Sequence, residues 1–273
     1  MYRNPTTGIL HGRGLTLPKP GRKPCRAAAE VFPIYTREQI VAKLKAAGGT
    51  IGLPVGLPAT NQGQHLLCWD WSMCQMVEVA LLAVTGKAIR LDVSIAPVED
   101  NTFKGNDIHA AWVDGIEPYG ICPAAFMGTD PTTTSDLPDM LTSLSRFPAG
   151  WQAEAAKRKG VERYECATFL EMASAILNGH PCVLGVDCEE GGHAIGSTTI
   201  ILGKNGGLSM QTPGTWGADY KGGWAGGGPA GTYTLSEAQT EAAWGGYGCQ
   251  AIIGVRDDED APTPAARTAV CRN

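Results

Sequence analysis

The stretch Asn61-Gln62-Gly63-Gln64-His65-Leu66-Leu67-Cys68-Trp69 decides the interpretation of this sequence. A mostly apolar run from Cys68 to Val84 follows a Gly- and Pro-rich approach, which predicts a buried helix that begins at Cys68. A cysteine in the first turn of a helix lies at the positive end of the helix dipole, which stabilises the nucleophilic thiolate. Gln62 lies on the loop that leads to this helix. Its amide can turn back toward the sulfur and, with the Cys68 backbone N–H, donate to a developing oxyanion.

This segment resembles the papain family of cysteine peptidases, in which Gln-Gly, a short loop and Cys-Trp recur in this order. The resemblance implies that Cys68 is the nucleophile and Gln62 the oxyanion donor. Three later segments extend the resemblance over roughly residues 50–255. Residues 115–122 are similar to the family's segment that leads into the cleft wall, and Gly191-Gly192-His193-Ala194-Ile195 is similar to its histidine strand. Trp216-Gly217, with Gly222-Gly223-Trp224, is similar to its Trp-Gly turn. His193 is therefore the implied base, 125 residues after Cys68.

The sequence departs from the family pattern at three places. Leu66 and Leu67 precede the nucleophile where the family usually has a glycine two positions before it, which predicts either a narrower cleft or a different approach of the substrate backbone. His65 stands where a structural cysteine is common. No clear counterpart of the family's histidine-orienting Asn precedes Trp216, so Gln211 is the first candidate for that role and Thr212 the second. A Cys–His pair can also act without a third member.

Two kinds of pattern divide the chain. Capping boxes at 36–39 and 168–171 predict helices that glycines end, and a further helix is predicted over 107–113. The later part predicts strands at 181–187, 193–202, 208–211, 232–235 and 250–255. The fold class is therefore α+β: a papain-like two-lobe fold with a helical lobe, an antiparallel β-sheet lobe and the active-site cleft between them.

We expect three regions along the chain. Residues 1–35 form an extended basic N-terminal arm, since residues 1–29 hold six Lys or Arg and no acid. Residues 36–256 form the papain-like domain, with the helical lobe at about 60–150 and the β lobe at about 165–256. Residues 257–273 form an acidic C-terminal tail. The arm is expected to lie on another chain or to project away from the body, where it serves protein assembly.

The function predicted from these residues is that of a thiol-dependent peptidase, which hydrolyses peptide bonds through a cysteine acyl-enzyme. The alternative is a weak or inactive papain-fold component of a larger assembly, such as a virion or a surface machine; the arm, the tail and Leu66-Leu67 favour it. We expect a peptide or protein substrate, no metal or organic cofactor and no membrane span. The net charge of −5 gives no reason to expect a specific nucleic-acid site.

The composition sets further limits. Hydrophobic residues make up 43% of the 273 residues and charged residues 18%, which excludes a disordered chain. The polar N-terminus does not resemble a secretory signal, and the cytoplasm and a viral particle both remain open as locations. Nine cysteines, without tight CxxC pairs, predict no zinc site. Most of them, including Cys74, Cys122, Cys166 and Cys182, are predicted to be buried thiols.

Overall fold

The computed structural model describes residues 2–3, 10–11, 15–19, 25–101, 103, 105–132, 142–158, 162–188, 191–217, 231–244, 246–255 and 257. The α-helices are α1 (Arg37–Ala46), α2 (Cys68–Thr85), α3 (Ile95–Glu99), α4 (Ala124–Met127), α5 (Trp151–Ala156), α6 (Phe169–Leu177) and α7 (Glu237–Trp244). Short 3-10 helices lie at Ala28–Glu30 and Leu144–Arg146, and a π-helix lies at Ala111–Ile116. The strands are β1 (Tyr2–Arg3), β2 (Leu10–His11), β3 (Arg26–Ala27), β4 (Thr50–Gly52), β5 (Glu162–Glu165), β6 (Cys182–Cys188), β7 (Gly191–Ser197), β8 (Thr199–Leu202), β9 (Leu208–Pro213), β10 (Thr232–Ser236) and β11 (Cys249–Ile253).

The predicted capping boxes set two helix starts. The Thr36 hydroxyl accepts the backbone N–H of Gln39, and the Gln39 side chain accepts the N–H of Thr36, so α1 begins as predicted. The Thr168 hydroxyl accepts the N–H of Glu171 in the same way at the start of α6. Helix α2 ends at Gly86, whose φ of 71° is the left-handed conformation that glycine adopts without strain.

Two sheets account for most of the strands. The larger one has the order β3-β5-β11-β6-β7, and only its β3–β5 pair is parallel. The smaller one has the order β10-β9-β8-β4 and is antiparallel throughout. The single strand predicted at 193–202 is in fact β7 and β8, which separate at Thr198 and enter different sheets. The chain turns a corner there, which the alternating sequence pattern does not show.

Two large apolar cores lie on either side of this arrangement. The first surrounds α2, whose first fourteen residues, Cys68 to Leu81, are all buried. The second lies between the sheets and helices α1 and α6. Helix α1 and strand β4 therefore belong to the sheet side, although they precede the helical segment along the chain. The helix predicted at 107–113 is the π-helix at 111–116.

The predicted arm and tail are described only in part. Residues 15–19 and 25–30 contact this same chain, and Leu15 and Ala28 are buried in it, so at these residues the arm does not project away from the body. Asp257 forms an ion pair with Arg158 at 3.2 Å. The rest of the acidic tail, 258–273, lies outside the described residues, as do Gly222-Gly223-Trp224.

Candidate active site

Cys68 is the first residue of α2 and is fully buried. Leu67 is the N-cap and its side chain makes no capping hydrogen bond; its carbonyl accepts the N–H groups of Asp70 and Trp71, each at 3.0 Å. Leu67 is itself fully buried, and Leu66 is half-buried. Leu67 therefore lies in the same apolar core as Cys68, whereas Leu66 keeps part of its surface in solvent.

Helix α2 lies along β7, the edge strand of the larger sheet. An edge strand has backbone groups that no neighbouring strand uses, and α2 takes up both groups of Ala194. Its N–H donates to the Cys68 Sγ atom at a donor–acceptor distance of 3.4 Å, and its carbonyl accepts the Ser72 hydroxyl at 2.7 Å. Since Ala194 directly follows His193, this hydrogen bond places the Cys68 sulfur against the backbone next to the predicted base.

The imidazole ring of His193 is fully buried between two aromatic side chains. Its Nε2 atom lies 3.1 Å from the hydroxyl of Tyr233. The ring stacks on Trp216, with centroids 4.2 Å apart and planes inclined by 25°. Trp216 and Tyr233 expose 1% or less of their surface. The Trp-Gly turn identified in the sequence therefore lies where the resemblance implies.

The side chain of Gln211 points elsewhere. Its amide donates to the Thr234 hydroxyl at 3.0 Å, and the Thr212 hydroxyl donates to the carbonyl of Pro213 at 3.3 Å. The group that meets the histidine ring is instead Tyr233, opposite Thr212 in the β9–β10 pair. Sequence reasoning did not single out Tyr233. The alternation in β10, where Tyr233 and Leu235 are buried, indicates an inward-facing tyrosine but not its partner.

Gln62 is fully buried, and its amide is fixed at both ends. The amide oxygen accepts the Thr215 hydroxyl at 2.7 Å, and the amide nitrogen donates to the carbonyl of His65 at 2.9 Å. The amide is therefore tied on one side to the loop that leads into Cys68 and on the other to the residue before Trp216.

Backbone hydrogen bonds join this loop to the segment that holds Trp216. The N–H of Gln62 donates to Thr215, and the N–H of Gly217 donates to Thr60, both at 2.9 Å. The loop before the nucleophile and the turn beside the histidine therefore form one connected unit.

A segment of the N-terminal arm crosses the site next to the histidine. The N–H of Leu15 donates to the carbonyl of Gly192 at 3.3 Å, and the N–H of Thr16 donates to Asn106 at 2.9 Å. Leu15 is antiparallel to Gly192 and parallel to Asn106, so the segment lies like a strand between two walls. A Cβ atom on Gly192 would come within 2.7 Å of the Leu15 carbonyl oxygen, so only glycine permits this approach. Leu15 is 7% exposed and belongs to the same apolar core as Cys68.

Similar solved structures share this architecture. Digestive procathepsin L 3 from the larval midgut of Tenebrio molitor superimposes with a TM-score of 0.60 and 14% identity over 89% of this chain and 76% of that one. Xylellain, a cysteine protease from Xylella fastidiosa, gives 0.60 and 13% over 90% and 97%. The chain has the papain-like fold. A stem bromelain precursor gives 0.58 and 14% over 94% and 80%.

Among the comparisons with known proteins, only those of three-dimensional structure identify the papain-like fold. No family model matches the sequence, and no curated protein matches it either. Helix α2 begins at Cys68 and lies against β7, the strand that carries His193. None of the helices in the described part of the chain combines the length and apolar character that a bilayer crossing requires.

Proposed function

We propose that this chain is a thiol-dependent peptidase with Cys68 as nucleophile and His193 as base. The observation that supports this most directly is the 3.4 Å hydrogen bond from the N–H of Ala194, the residue after His193, to the Cys68 sulfur. It sets the backbone next to His193 beside a thiol at the N-terminus of a long helix. A helix N-terminus favours the thiolate, and a histidine from the adjoining strand is the partner that the proposal assigns to it.

The reaction follows from these positions. The Cys68 thiol transfers its proton to His193, and the sulfur attacks the carbonyl carbon of a peptide bond to form a tetrahedral oxyanion. His193 then protonates the leaving amine, which gives a thioester; water, deprotonated by His193, hydrolyses the thioester and restores the thiol. The substrate class is a peptide or protein, and no metal or organic cofactor enters any step.

Two groups support the histidine and the oxyanion. Tyr233 engages Nε2 of His193, which assigns the other ring nitrogen to the proton transfer, and Trp216 fixes the ring plane. We assign this positioning role to Tyr233 in place of Gln211. Gln62, held by Thr215, is the side-chain donor to the oxyanion and acts with the Cys68 backbone N–H.

The described conformation is a closed one. Cys68 and His193 are both 0% exposed, so a peptide carbonyl reaches the sulfur only after something moves. The segment 15–19 is the candidate for that movement, because it is bonded to Gly192 beside the histidine and Leu15 lies in the same core as Cys68. We assign to it the role of a cover over the cleft.

The same burial favours a second candidate function. A fully buried cysteine and histidine, with Leu67 filling the wall beside them, also suit a protein that keeps the fold but does not catalyse, and that serves as a binding component. The two candidates differ in one property, which is the reactivity of Cys68 toward a substrate-like reagent.

A labelling experiment distinguishes them. The full-length protein is treated with a peptide-like epoxide or vinyl sulfone, and the modified cysteine is mapped by mass spectrometry. We expect selective modification of Cys68, loss of labelling in Cys68→Ala and slower labelling in His193→Ala. Two other cysteines act as internal controls, since burial raises the pKa of Cys122 to about 12 and that of Cys74 well above its usual range. Absent or unselective labelling, also after Leu15 is displaced, contradicts the peptidase proposal.

A further inference from the structure

Three cysteines from separate parts of the chain meet in the core of the sheet lobe. Cys166 directly follows β5, Cys182 begins β6 and Cys249 begins β11. Their Sγ atoms all lie within 4.8 Å of one another, and each residue exposes 1% or less of its surface. Cys166 and Cys182 are buried thiols as predicted, but spacings of 16 and 67 residues give no sign in the sequence that they meet Cys249.

The strand register explains the cluster. Strand β11 runs between β5 and β6, with Gln250 opposite Glu165 and Ala251 opposite Cys182. One step further along β5, the N–H of Cys166 donates to the carbonyl of Cys249 at 2.9 Å. Alternate residues of a strand share a face, so Cys249 lies on the face of Ala251 and hence of Cys182. The three side chains form a row across three strands, and α6 covers it.

Outside the cluster, the Cys182 sulfur contacts the backbone carbonyls of Met172 and His180, each at 4.0 Å. Hydrogen bonds from Cys182 and Cys249, with the N–H of Ala251, lower the pKa of Cys166 to about 5 despite its burial. Burial raises the pKa of both Cys182 and Cys249 well above the usual range. The cluster therefore brings three sulfur atoms together inside an apolar core.

We propose that Cys166, Cys182 and Cys249 bind one Cu(I) ion in a trigonal site of three sulfur ligands. Thiolate sulfur is the donor that Cu(I) selects, while Mg²⁺ and Ca²⁺ require oxygen ligands. A structural Zn²⁺ ion takes four ligands, and within the part of the chain that is described no His, Asp or Glu joins the three cysteines. Each thiol that ionises on binding releases its proton to solvent, and copper remains in the +1 state throughout.

The bound ion would join β5, β6 and β11 at one end of the larger sheet. This site shares no residue with the Cys68–His193 pair, and the inference does not depend on the proposed peptidase function.

Anaerobic titration with Cu(I) tests the proposal, with bicinchoninate as competing chelator. The full-length, reduced protein carries Cys68→Ala, so that the candidate active site does not compete. We expect one Cu(I) per chain with thiolate-to-copper charge-transfer absorbance. Cys182→Ala should weaken binding by on the order of 100-fold or more, and Cys122→Ala, a matched buried control, should change it less than about twofold. Equal binding by both variants, or no binding by the parent, overturns the proposal.

A second measurement does not rely on a cluster variant that folds. X-ray absorption at the copper edge of the parent protein should show a first shell of three sulfur atoms. A shell that contains nitrogen or oxygen, or a titration in which Zn²⁺ displaces Cu(I) at equal concentration, contradicts the assignment of a trigonal soft-metal site.

Discussion

The imidazole of His193 lies face to face with the indole of Trp216, at a centroid distance of 4.2 Å and an interplanar angle of 25°. Tyr233 meets both rings edge-on, at 5.8 Å from His193 and 6.0 Å from Trp216. The histidine ring thus has one face against Trp216 and one nitrogen on a phenol oxygen. Its orientation is set before any substrate arrives, which is the usual requirement for efficient proton transfer.

Tyr233→Phe should lower turnover by a few-fold to about tenfold, because one hydrogen bond of about 0.5–1.5 kcal/mol that orients His193 is lost. The pH profile of Cys68 labelling should shift as well, since the phenol hydroxyl acts on a titrating ring. Gln211→Ala is the matched control, because its side chain bonds to Thr234. If the two variants behave alike, the positioning role of Tyr233 is wrong.

Gln62→Ala should lower turnover by on the order of 10²-fold through loss of an oxyanion donor. Thr215→Val should have a smaller effect in the same direction, because it removes the hydroxyl that orients the Gln62 amide but leaves the amide present. Thermal unfolding of both variants checks that folding is intact. An active enzyme that is indifferent to Gln62→Ala would place the oxyanion hole elsewhere.

Leu15→Asp should accelerate labelling of Cys68 by roughly tenfold or more. A carboxylate is costly in the core position of Leu15, so the segment leaves the cleft. Leu17→Asp provides a matched control at a side chain that is 59% exposed and should label at the original rate. Acceleration in both variants would indicate a general loosening of the protein, and acceleration in neither would remove the role of this segment as a cover.

The stability of the fold should fall as pH rises from about 5 to about 8. Burial raises the pKa of Glu78 to about 8, against the opposing effects of Arg90 and the Leu91 N–H. The folded chain therefore holds a proton that the unfolded chain releases at lower pH, so this stabilisation is lost as pH rises toward the folded pKa.

Denaturant unfolding over this pH range checks the prediction. Glu78→Gln should reduce the decrease in the free energy of unfolding, the slope against pH, by up to about 1.4 kcal/mol per pH unit. It should not abolish the slope, because burial raises the pKa of Asp70 and Asp92 in the same direction. The exposed Glu38 provides the control variant Glu38→Gln, which should retain the slope. An unchanged slope in Glu78→Gln would show that this carboxyl ionises normally in the fold.

Local signals in the sequence correctly predicted helices α1 and α2 and strand β7. The capping box at Thr36, the apolar run after Cys68 and the Gly-Gly approach to His193 each depend on residues close together in the chain, and the elements that they predict are present. The corner at Thr198 was missed, because continuous β-propensity does not show where a strand changes sheets. The pairing of Tyr233 with His193 was missed because it depends on how β10 of the smaller sheet meets β7 of the larger sheet, which no local pattern encodes.

The hydrogen bond from Ala194 to the Cys68 sulfur also provides a built-in reporter. That amide proton exchanges with solvent only when the sulfur moves away from the strand, so its exchange rate measures the free energy of parting the helix from the sheet edge. Alkylation of Cys68 changes the acceptor while leaving the backbone unaltered. The exchange rate of this one amide, followed by NMR or mass spectrometry, should therefore differ between protein with free Cys68 and protein with alkylated Cys68.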